Sequence, residues 1–587
     1  MTLDNSGISD IIGLLGDLKE LHGEDPFKVS SLKNAARKIS KMSEKLSELN
    51  LVELQNLEGI GKSLAKTITE LNTQGQIEEL ENLKSKTPSE VIKMLDIPGI
   101  GPKKVQIIWK VLGLETLSEL KYACNENRLI EAKGFGLKTQ NEILRNLENF
   151  ENLEGLYLFP KLEKLALEIM GYFKEIPEIQ NLELVGDLRR ALEYTDKIEI
   201  LLASTQNHRE AILQGFKTHF SNDLVLDSET AYPDQDYYTY TILNGIPISI
   251  HFSEISDFVK MKFLLTGSQE YLSSLNNLSI LNDKSNFIDE QEIYSLLNKP
   301  YIVPELRENW EQVFQDFFQI EQNQSELDLN PKDLYPKYPI EEKLIENGDL
   351  KGSLHNHSTY SDGSNSLEEM VQSCIEQRLS YFGICDHSRS AFYADGLNIE
   401  KVEIQWKEIE ALNQKYLPFK IFKGIESDIL ADGSLDYPDE ILKGFDFIVA
   451  SIHSGLKMER SKAMVRIIKA IENPFTRILG HPTGRLLLGR SGYSLDMPKI
   501  IDACIQNQVV IELNANPNRL DIDWRWIYYG MNKGAIFSIN PDAHKRQGIL
   551  DMRFGVQSAR KAGLVPSKCL NALSLEDFEK FIRNKKY

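Results

Sequence analysis

Six of the ten histidines of this chain fall at or after His355, each at the end of a β-branched or aromatic run. The motifs, in order, are HNHSTYSDG (355–363), ICDHS (384–388), GIESDI (424–429), SIHS (451–454), GHPTGR (480–485) and PDAH (541–544). They offer His355, His357, Asp362, His387, Glu426, His453, His481, Asp542 and His544 as ligands. Six imidazoles with three carboxylates suit Zn²⁺, Mn²⁺ or Fe²⁺ better than the oxygen-seeking Ca²⁺ or Mg²⁺. Nine donors are too many for one ion, so two or three divalent ions are expected. Clustered ions lower the pKa of a water and offset phosphate charge, which is the chemistry of phosphoester hydrolysis without a Ser or Cys nucleophile. Arg485 and Arg490 in GRLLLGR and Arg519 in NPNRLD are placed to neutralise phosphate oxygens or, equally, to form ordinary ion pairs. The candidate catalytic residues are Asp542, His544, Arg485 and Arg519, while Glu512 in VVIELNAN reads as structural.

Gathering nine donors from six segments requires a fold that brings strand ends together. The runs GSLHNHS, YFGICDHS, FKIFKGIESDIL, FDFIVASIHS, RILGHP, VVIELNAN and AIFSINPDAH alternate with amphipathic helical stretches, which predicts a parallel α/β barrel over 351–587. All C-terminal strand ends then share one rim. Residues i and i+2 of an extended segment face one side, so His355/His357 and Asp542/His544 each aim both donors at one place.

Residues 1–150 read differently, as successive short helices between glycines. Three segments repeat one shape: LEGIGKSLAKTI (57–68), IPGIGPKKVQII (97–108) and AKGFGLKTQNEI (132–143). A glycine turn opening a helix lets backbone amides meet a DNA phosphate. Gly59, Gly61, Lys62, Gly99, Gly101, Lys103, Gly134, Gly136 and Lys138 are therefore the expected sequence-independent DNA contacts. This fits the charge distribution. The whole chain carries −20, but residues 1–150, with 20 basic and 22 acidic side chains, carry only −2. Between the two regions, NLELVGDL, KIEILLAS, YYTYTILNG and IPISIHFS mark an α+β region, and a polar stretch with prolines at 322–350 reads as a linker.

The histidine motifs resemble the PHP family, whose members carry a distorted TIM-like barrel and a trinuclear phosphoesterase site. The glycine repeats are similar to helix-hairpin-helix motifs and, with the helical start, resemble the lyase and fingers regions of family X DNA polymerases. VGDLRRALEYTDKIEILLAS, LLTGS (264–268) and YIVPELRE (301–308) continue that resemblance, so that nearly the whole chain is similar to bacterial family X polymerases with a C-terminal PHP domain. The resemblance implies a lyase-like domain at 1–85, fingers at 86–150, an α+β palm at 151–255, a thumb at 256–321, the linker, and the PHP domain at 351–587. It also implies 3′-5′ exonuclease, 3′-end cleaning or abasic-site cleavage in DNA repair.

The polymerase signature itself is degenerate. Where the family has GSxRR, this chain has Asp187 in place of the serine, and Lys197 and Glu199 stand at the two DxD positions. The third carboxylate position offers Ser249 or His251. A Lys⁺ at that centre repels Mg²⁺, so nucleotide addition is not expected and the palm becomes a DNA scaffold. The family's Schiff-base lysine aligns with Thr67, one place after Lys66. The 587 residues, 41% hydrophobic, suffice for several cores, and five cysteines without CxxC spacing argue for reduced thiols in the cytoplasm. Neither a secretory leader nor a membrane-spanning run is expected from the sequence. The expectation is a monomeric enzyme whose partner is gapped, nicked or 3′-ended DNA. The rivals are an active gap-filling polymerase, a small-molecule phosphatase of the histidinol-phosphatase type, and a DNA-binding scaffold without activity.

Overall fold

Helix Asn5–Leu21 follows from its spacing: Ile8, Ile12, Leu15 and Leu18 form one buried stripe. Asp4 caps it, its carboxylate accepting from Gly7 N at 2.9 Å. The computed structural model describes residues 4–40, 42, 44–57, 59–97, 100–130, 132, 134–150, 155–221, 230–232, 237–241, 245–310, 313 and 342–584. Gly99 and linker residues 322–341 lie outside the described residues. Two compact units are present, Met1–Phe150 and Glu151–Tyr587. The first is all-helical in its described residues, with a core that runs from Ile8 to Leu147.

The second unit begins with a short antiparallel pair, β1 (Tyr157–Leu158) and β3 (Tyr194–Thr195). Next comes a five-stranded sheet of β2 (Asn181–Val185), β4 (Ile198–Ala203), β5 (Thr230–Tyr232), β6 (Tyr237–Thr241) and β7 (Pro247–Ser253), ordered β2-β4-β7-β6-β5. Ile198, Ile200 and Leu202 alternate inward against helices Phe159–Lys174 and Gln206–His219. The sequence had marked four of these five strands, and β5 was not among them.

The remainder is the expected barrel. Its strands are β8 (Gly352–Ser353), β9 (Tyr381–Ile384), β10 (Lys420–Lys423), β11 (Glu426–Asp428), β12 (Val449–Ser451), β13 (Ile478–Leu479), β14 (Val510–Asn514) and β15 (Phe537–Asn540), all parallel. β10 and β11 are one strand broken at Gly424, where a side chain would meet Ile384 O. Bridges His387↔Glu426 and Asn356↔Ala543 complete a closed ring of seven strand positions. The helix Leu575–Arg583 closes the N-terminal end of the barrel. Phe578 stacks on Tyr381 with centroids 4.8 Å apart, and Arg477 Nη2 donates to the carbonyls of Phe581 (3.0 Å) and Asn584 (2.7 Å). The opposite end is the rim that carries the motifs. Leu487, Leu520 and Phe554 of the barrel pack into the same apolar cluster as Phe159 and Leu162, so the barrel and the preceding α+β region share a core.

Candidate metal centre

The local backbone explains how the donors converge. His357 N donates to Ala543 O (2.9 Å) and Cys385 N to Asn356 O (2.7 Å), so the segment after β8 lies between those after β9 and β15. Asn356 faces the barrel wall, and His355 and His357 on either side of it face inward together. Glu426, at the start of β11, is the hub. Its Oε1 lies 3.3 Å from His355 Nε2, 3.2 Å from His453 Nε2 and 3.0 Å from His481 Nε2; its Oε2 lies 3.0 Å from His387 Nδ1. Five imidazoles form a ring about it, with successive centroids 5.3, 4.6, 5.0, 5.1 and 6.1 Å apart in the order His355, His357, His387, His453, His481 and back to His355. His544 stacks on His357 at 4.1 Å, and its Nε2 lies 3.4 Å from Asp362 Oδ2. Asp542 Oδ1 sits 3.0 Å from His357 Nε2. All nine expected ligands are thus gathered, and eight of them are less than a tenth exposed.

A further set of side chains orients these donors. Glu512 Oε2 pairs with His355 Nδ1 at 2.8 Å, which turns Nε2 toward the hub, and Asp428 Oδ1 does the same for His453 through Nδ1 at 2.6 Å. Asn514 donates to Asp542 Oδ2 (3.0 Å), and Asn540 donates to Glu512 Oε2 (3.0 Å). Asp386 accepts from Ser358 N, Ser358 Oγ, Ser361 Oγ and Gln405 Nε2 at 2.6–2.7 Å, tying the first two motifs together. The sequence reading passed over Asp386, Asp428, Asn514 and Asn540. Asp428 had a signal, since it stands two residues after Glu426 on the same strand face.

Electrostatics follow from packing three acids among six imidazoles. Burial alone would raise Asp362, Glu426 and Asp542, yet the neighbouring imidazoles hold all three well below the ordinary carboxylate range. Burial lowers His357, and His544 and His387 beside it help bring it to about 3, whereas at His355 and His387 burial is outweighed by neighbouring carboxylates, which raise both. The residues fit a group of divalent ions on the structure's own terms. His355 Nε2 and His357 Nδ1 are buried without a hydrogen bond of acceptable geometry among the described residues. Three overlapping sets place their donor atoms within 4.8 Å of one another: His357, Asp362, His387 and His544; His355, His357 and Asp542; His387, Glu426 and His453.

The arginines divide. Arg519 is buried, and its charge, after burial itself, contributes to lowering His481. Arg485 corrects its expectation as a phosphate ligand: Nε donates to Arg519 O (2.9 Å), Nη1 to Asp523, and Nη2 to Glu193 Oε1 (2.5 Å) and Leu520 O. Its donors are spent inside the protein because a guanidinium this buried requires carboxylate partners. Arg490 Nε donates to Gly484 O at 3.0 Å.

At the degenerate polymerase positions, Lys197 Nζ lies 3.1 Å from Glu199 Oε1, and His251 Nε2 lies 3.4 Å from the same oxygen. Asp187 is bound by Arg190 (2.5 Å) and Thr195 Oγ1 (2.7 Å). Gly186, at φ +66°, lies under Glu199, where a Cβ would be 2.1 Å from Oε2. Arg189 is held by Glu290, and Arg190 by Glu308 as well as Asp187.

The glycine repeats have one geometry. Ile60 N→Leu57 O, Ile100 N→Ile97 O and Phe135 N→Ala132 O make the same turn at 3.0–3.1 Å. Ala65 N→Gly61 O, Val105 N→Gly101 O and Gln140 N→Gly136 O then open each helix. Gly59 and Gly134 both adopt φ +93°, which only glycine takes readily. Gly61, Gly101 and Gly136 are exposed with no atom within 4 Å of a would-be Cβ, and Lys62, Lys103 and Lys138 are exposed beside them.

Comparison with known proteins gives three family matches: a helix-hairpin-helix domain over residues 3–77, a SAM-like helix-hairpin-helix tandem over 91–149, and a PHP domain over 353–516. A Bacillus subtilis (strain 168) protein named DNA polymerase/3′-5′ exonuclease PolX is 32% identical over 98% of this chain and 99% of its own length. Two proteins named probable phosphatase match shorter parts of the chain. That of Caldicellulosiruptor bescii is 29% identical over 28% of this chain and 65% of its own, and that of Vibrio campbellii 24% identical over 38% and 88%.

Proposed function

The chain belongs to the PolX family of DNA polymerase/3′-5′ exonucleases, and from that premise we propose that it is a metal-dependent DNA phosphoesterase whose chemistry resides in the barrel rim. The observation that carries the proposal is the gathering of nine donors from six strand positions about one buried member of the set, Glu426. His355, His357, Asp362, His387, Glu426, His453, His481, Asp542 and His544 would hold two or three Mn, Zn or Fe ions. Such ions, when bound, supply the Lewis acidity that lowers the pKa of water and offsets phosphate charge. The chain's own part is to fix the donors in advance. Glu512 and Asp428 lock the tautomers of His355 and His453, Asn514 orients Asp542, and the buried Arg519 adds a fixed positive charge beside His481 for the phosphate. The substrate end would be a 3′ terminus, a blocked 3′ end or an abasic site.

The three helix-hairpin-helix turns would bind DNA phosphates through backbone amides, independently of sequence. The α+β core would position the duplex without adding nucleotides. Lys197 and Asp187 support this, because a cation stands where metal-binding carboxylates are needed and both arginines of GDLRR are already paired. The test uses end-labelled gapped, 3′-phosphorylated and abasic duplexes with Mn²⁺, with and without dNTPs. Hydrolysis by wild type that Asp542→Ala abolishes, with no extension, supports the reading. Extension that survives Asp542→Ala, with no hydrolysis by wild type, refutes it.

A further inference from the structure

The Arg485 guanidinium holds the carbonyl oxygens of Arg519 and Leu520, residues of the rim loop that follows β14. The same loop is stitched to the His481 segment. Asp521 accepts from Thr483 N (3.1 Å), Thr483 Oγ1 (2.9 Å) and Gly484 N (2.8 Å), while Arg485 N donates to Thr483 Oγ1 (3.3 Å). Arg485 therefore clamps the two rim loops that follow β13 and β14. Three guanidiniums (Arg485, Arg519, Arg525) and three carboxylates (Glu193, Asp521, Asp523) make up this set. Five of the six belong to the barrel. Glu193 comes from the α+β region, just before β3, and is only 8% exposed.

We propose that Glu193 is a positioning residue for the barrel site: the polymerase-like half supplies the carboxylate that holds Arg485 in place, and through it the loop bearing Arg519. This rests on the phosphoesterase reading above and gives the degenerate palm a second task besides holding DNA. Removing the Glu193 charge leaves a buried guanidinium short of one partner. The cheapest relief is for Arg485 to swing toward water and release the Arg519 and Leu520 carbonyls. Burial and the nearby Asp523 raise Glu193, while Arg525 and Arg485 hold Asp523 below its usual range. The 2.5 Å contact with a guanidinium favours the ionised carboxylate.

A second buried ion pair between the same two regions provides the control. Glu308 joins Arg190 (2.8 Å) to Lys561 (2.8 Å) and touches neither rim loop. Glu193→Gln, Glu193→Asp and Glu308→Gln are compared with wild type as full-length, Mn²⁺-loaded protein. The readouts are hydrogen exchange of the 516–523 amides, bound manganese per chain, and kcat for bis(4-nitrophenyl) phosphate, a diester that needs no DNA-binding surface. Glu193→Gln is expected to speed exchange in 516–523 and to lower kcat by roughly ten- to a hundredfold with manganese unchanged, the range a misplaced group of this kind costs. Glu193→Asp should recover part of both. Glu308→Gln should leave the segment's exchange unchanged and kcat within about twofold. Wild-type exchange in Glu193→Gln, or the same acceleration and loss in Glu308→Gln, would overturn the proposal by reducing the pair to a domain strut. A wild type that hydrolyses neither the diester nor DNA counts against the phosphoesterase reading, and the exchange comparison still decides the role of Glu193.

Discussion

Glu290 is the carboxylate that pairs with Arg189, whose Nη1 also donates to Thr266 Oγ1 at 2.6 Å, so its removal tests how the polymerase-like core is held. Two arginines grip it in paired forks. Arg189 Nη1 and Nη2 donate at 3.0 and 2.8 Å, and Arg307 Nη1 and Nη2 at 2.5 and 3.0 Å. Arg307 is fully buried, its guanidinium 5.4–5.8 Å from the ring centroids of Phe263, Tyr294 and Tyr301. Burial would raise Glu290, but the two guanidiniums outweigh it and bring its pKa from 4.5 to about 2. A shift of that size corresponds to about 3 kcal/mol of stability. The cost of removing one partner from a buried pair, about 3–5 kcal/mol, agrees. Because the folded-state pKa is the lower one, the contribution is complete above about pH 5 and disappears as the pH falls through about 2. Urea unfolding followed by tryptophan fluorescence, which reads Trp310 three residues from Arg307, should therefore find Glu290→Gln less stable by about 3 kcal/mol at pH 7. The gap should narrow steadily below pH 4.5. A difference under about 1 kcal/mol at pH 7, or one that does not shrink in acid, would refute the reasoning by making the pair no better than an exposed one.

Other expectations follow from the same geometry. Glu199→Ala should leave Mn²⁺-dependent DNA hydrolysis within about twofold of wild type, since the mutation lies outside the rim, and primer extension should detect no incorporation by either protein. Gly61→Val and Gly101→Val fall at extended backbone with open space around them. They should weaken duplex binding by fluorescence anisotropy, each by about three- to tenfold for one obstructed phosphate contact, with no change in Tm. Phe578→Ala, which empties the floor beneath Tyr381, should cost about 3–5 kcal/mol in denaturant titrations and leave the bound metal per chain unchanged.

The rim was legible because its signal lies in residue type and spacing: each strand run ends in a donor, and i, i+2 pairs in extended backbone share a face. Parallel alternation sufficed to infer a barrel whose closure is now seen in the Asn356↔Ala543 bridge. The glycine turns were legible for a similar reason, as three local hydrogen-bond patterns in the same register. What the sequence could not give was partnership across distance. Arg485 carries the same label whether it faces phosphate or Glu193, 292 positions earlier in the chain. Glu512 was read as structural, and only the fold reveals that its structural work is to aim His355. Asp386 and Asn540 sit beside residues already singled out, but their side chains point to second partners that spacing does not specify. β5 went unread because its three residues are too short to establish a period of two.

The central claim is that catalytic metal binds at the imidazole rim and not at the polymerase-like centre. Anomalous diffraction at the manganese edge, from crystals grown with Mn²⁺ and a nucleoside triphosphate, tests it most directly. Two or three peaks among His355, His387, Glu426, His453 and Asp542, with none beside Lys197, are the predicted result. Peaks with bound triphosphate between Asp187 and Glu199, and none at the rim, would contradict it.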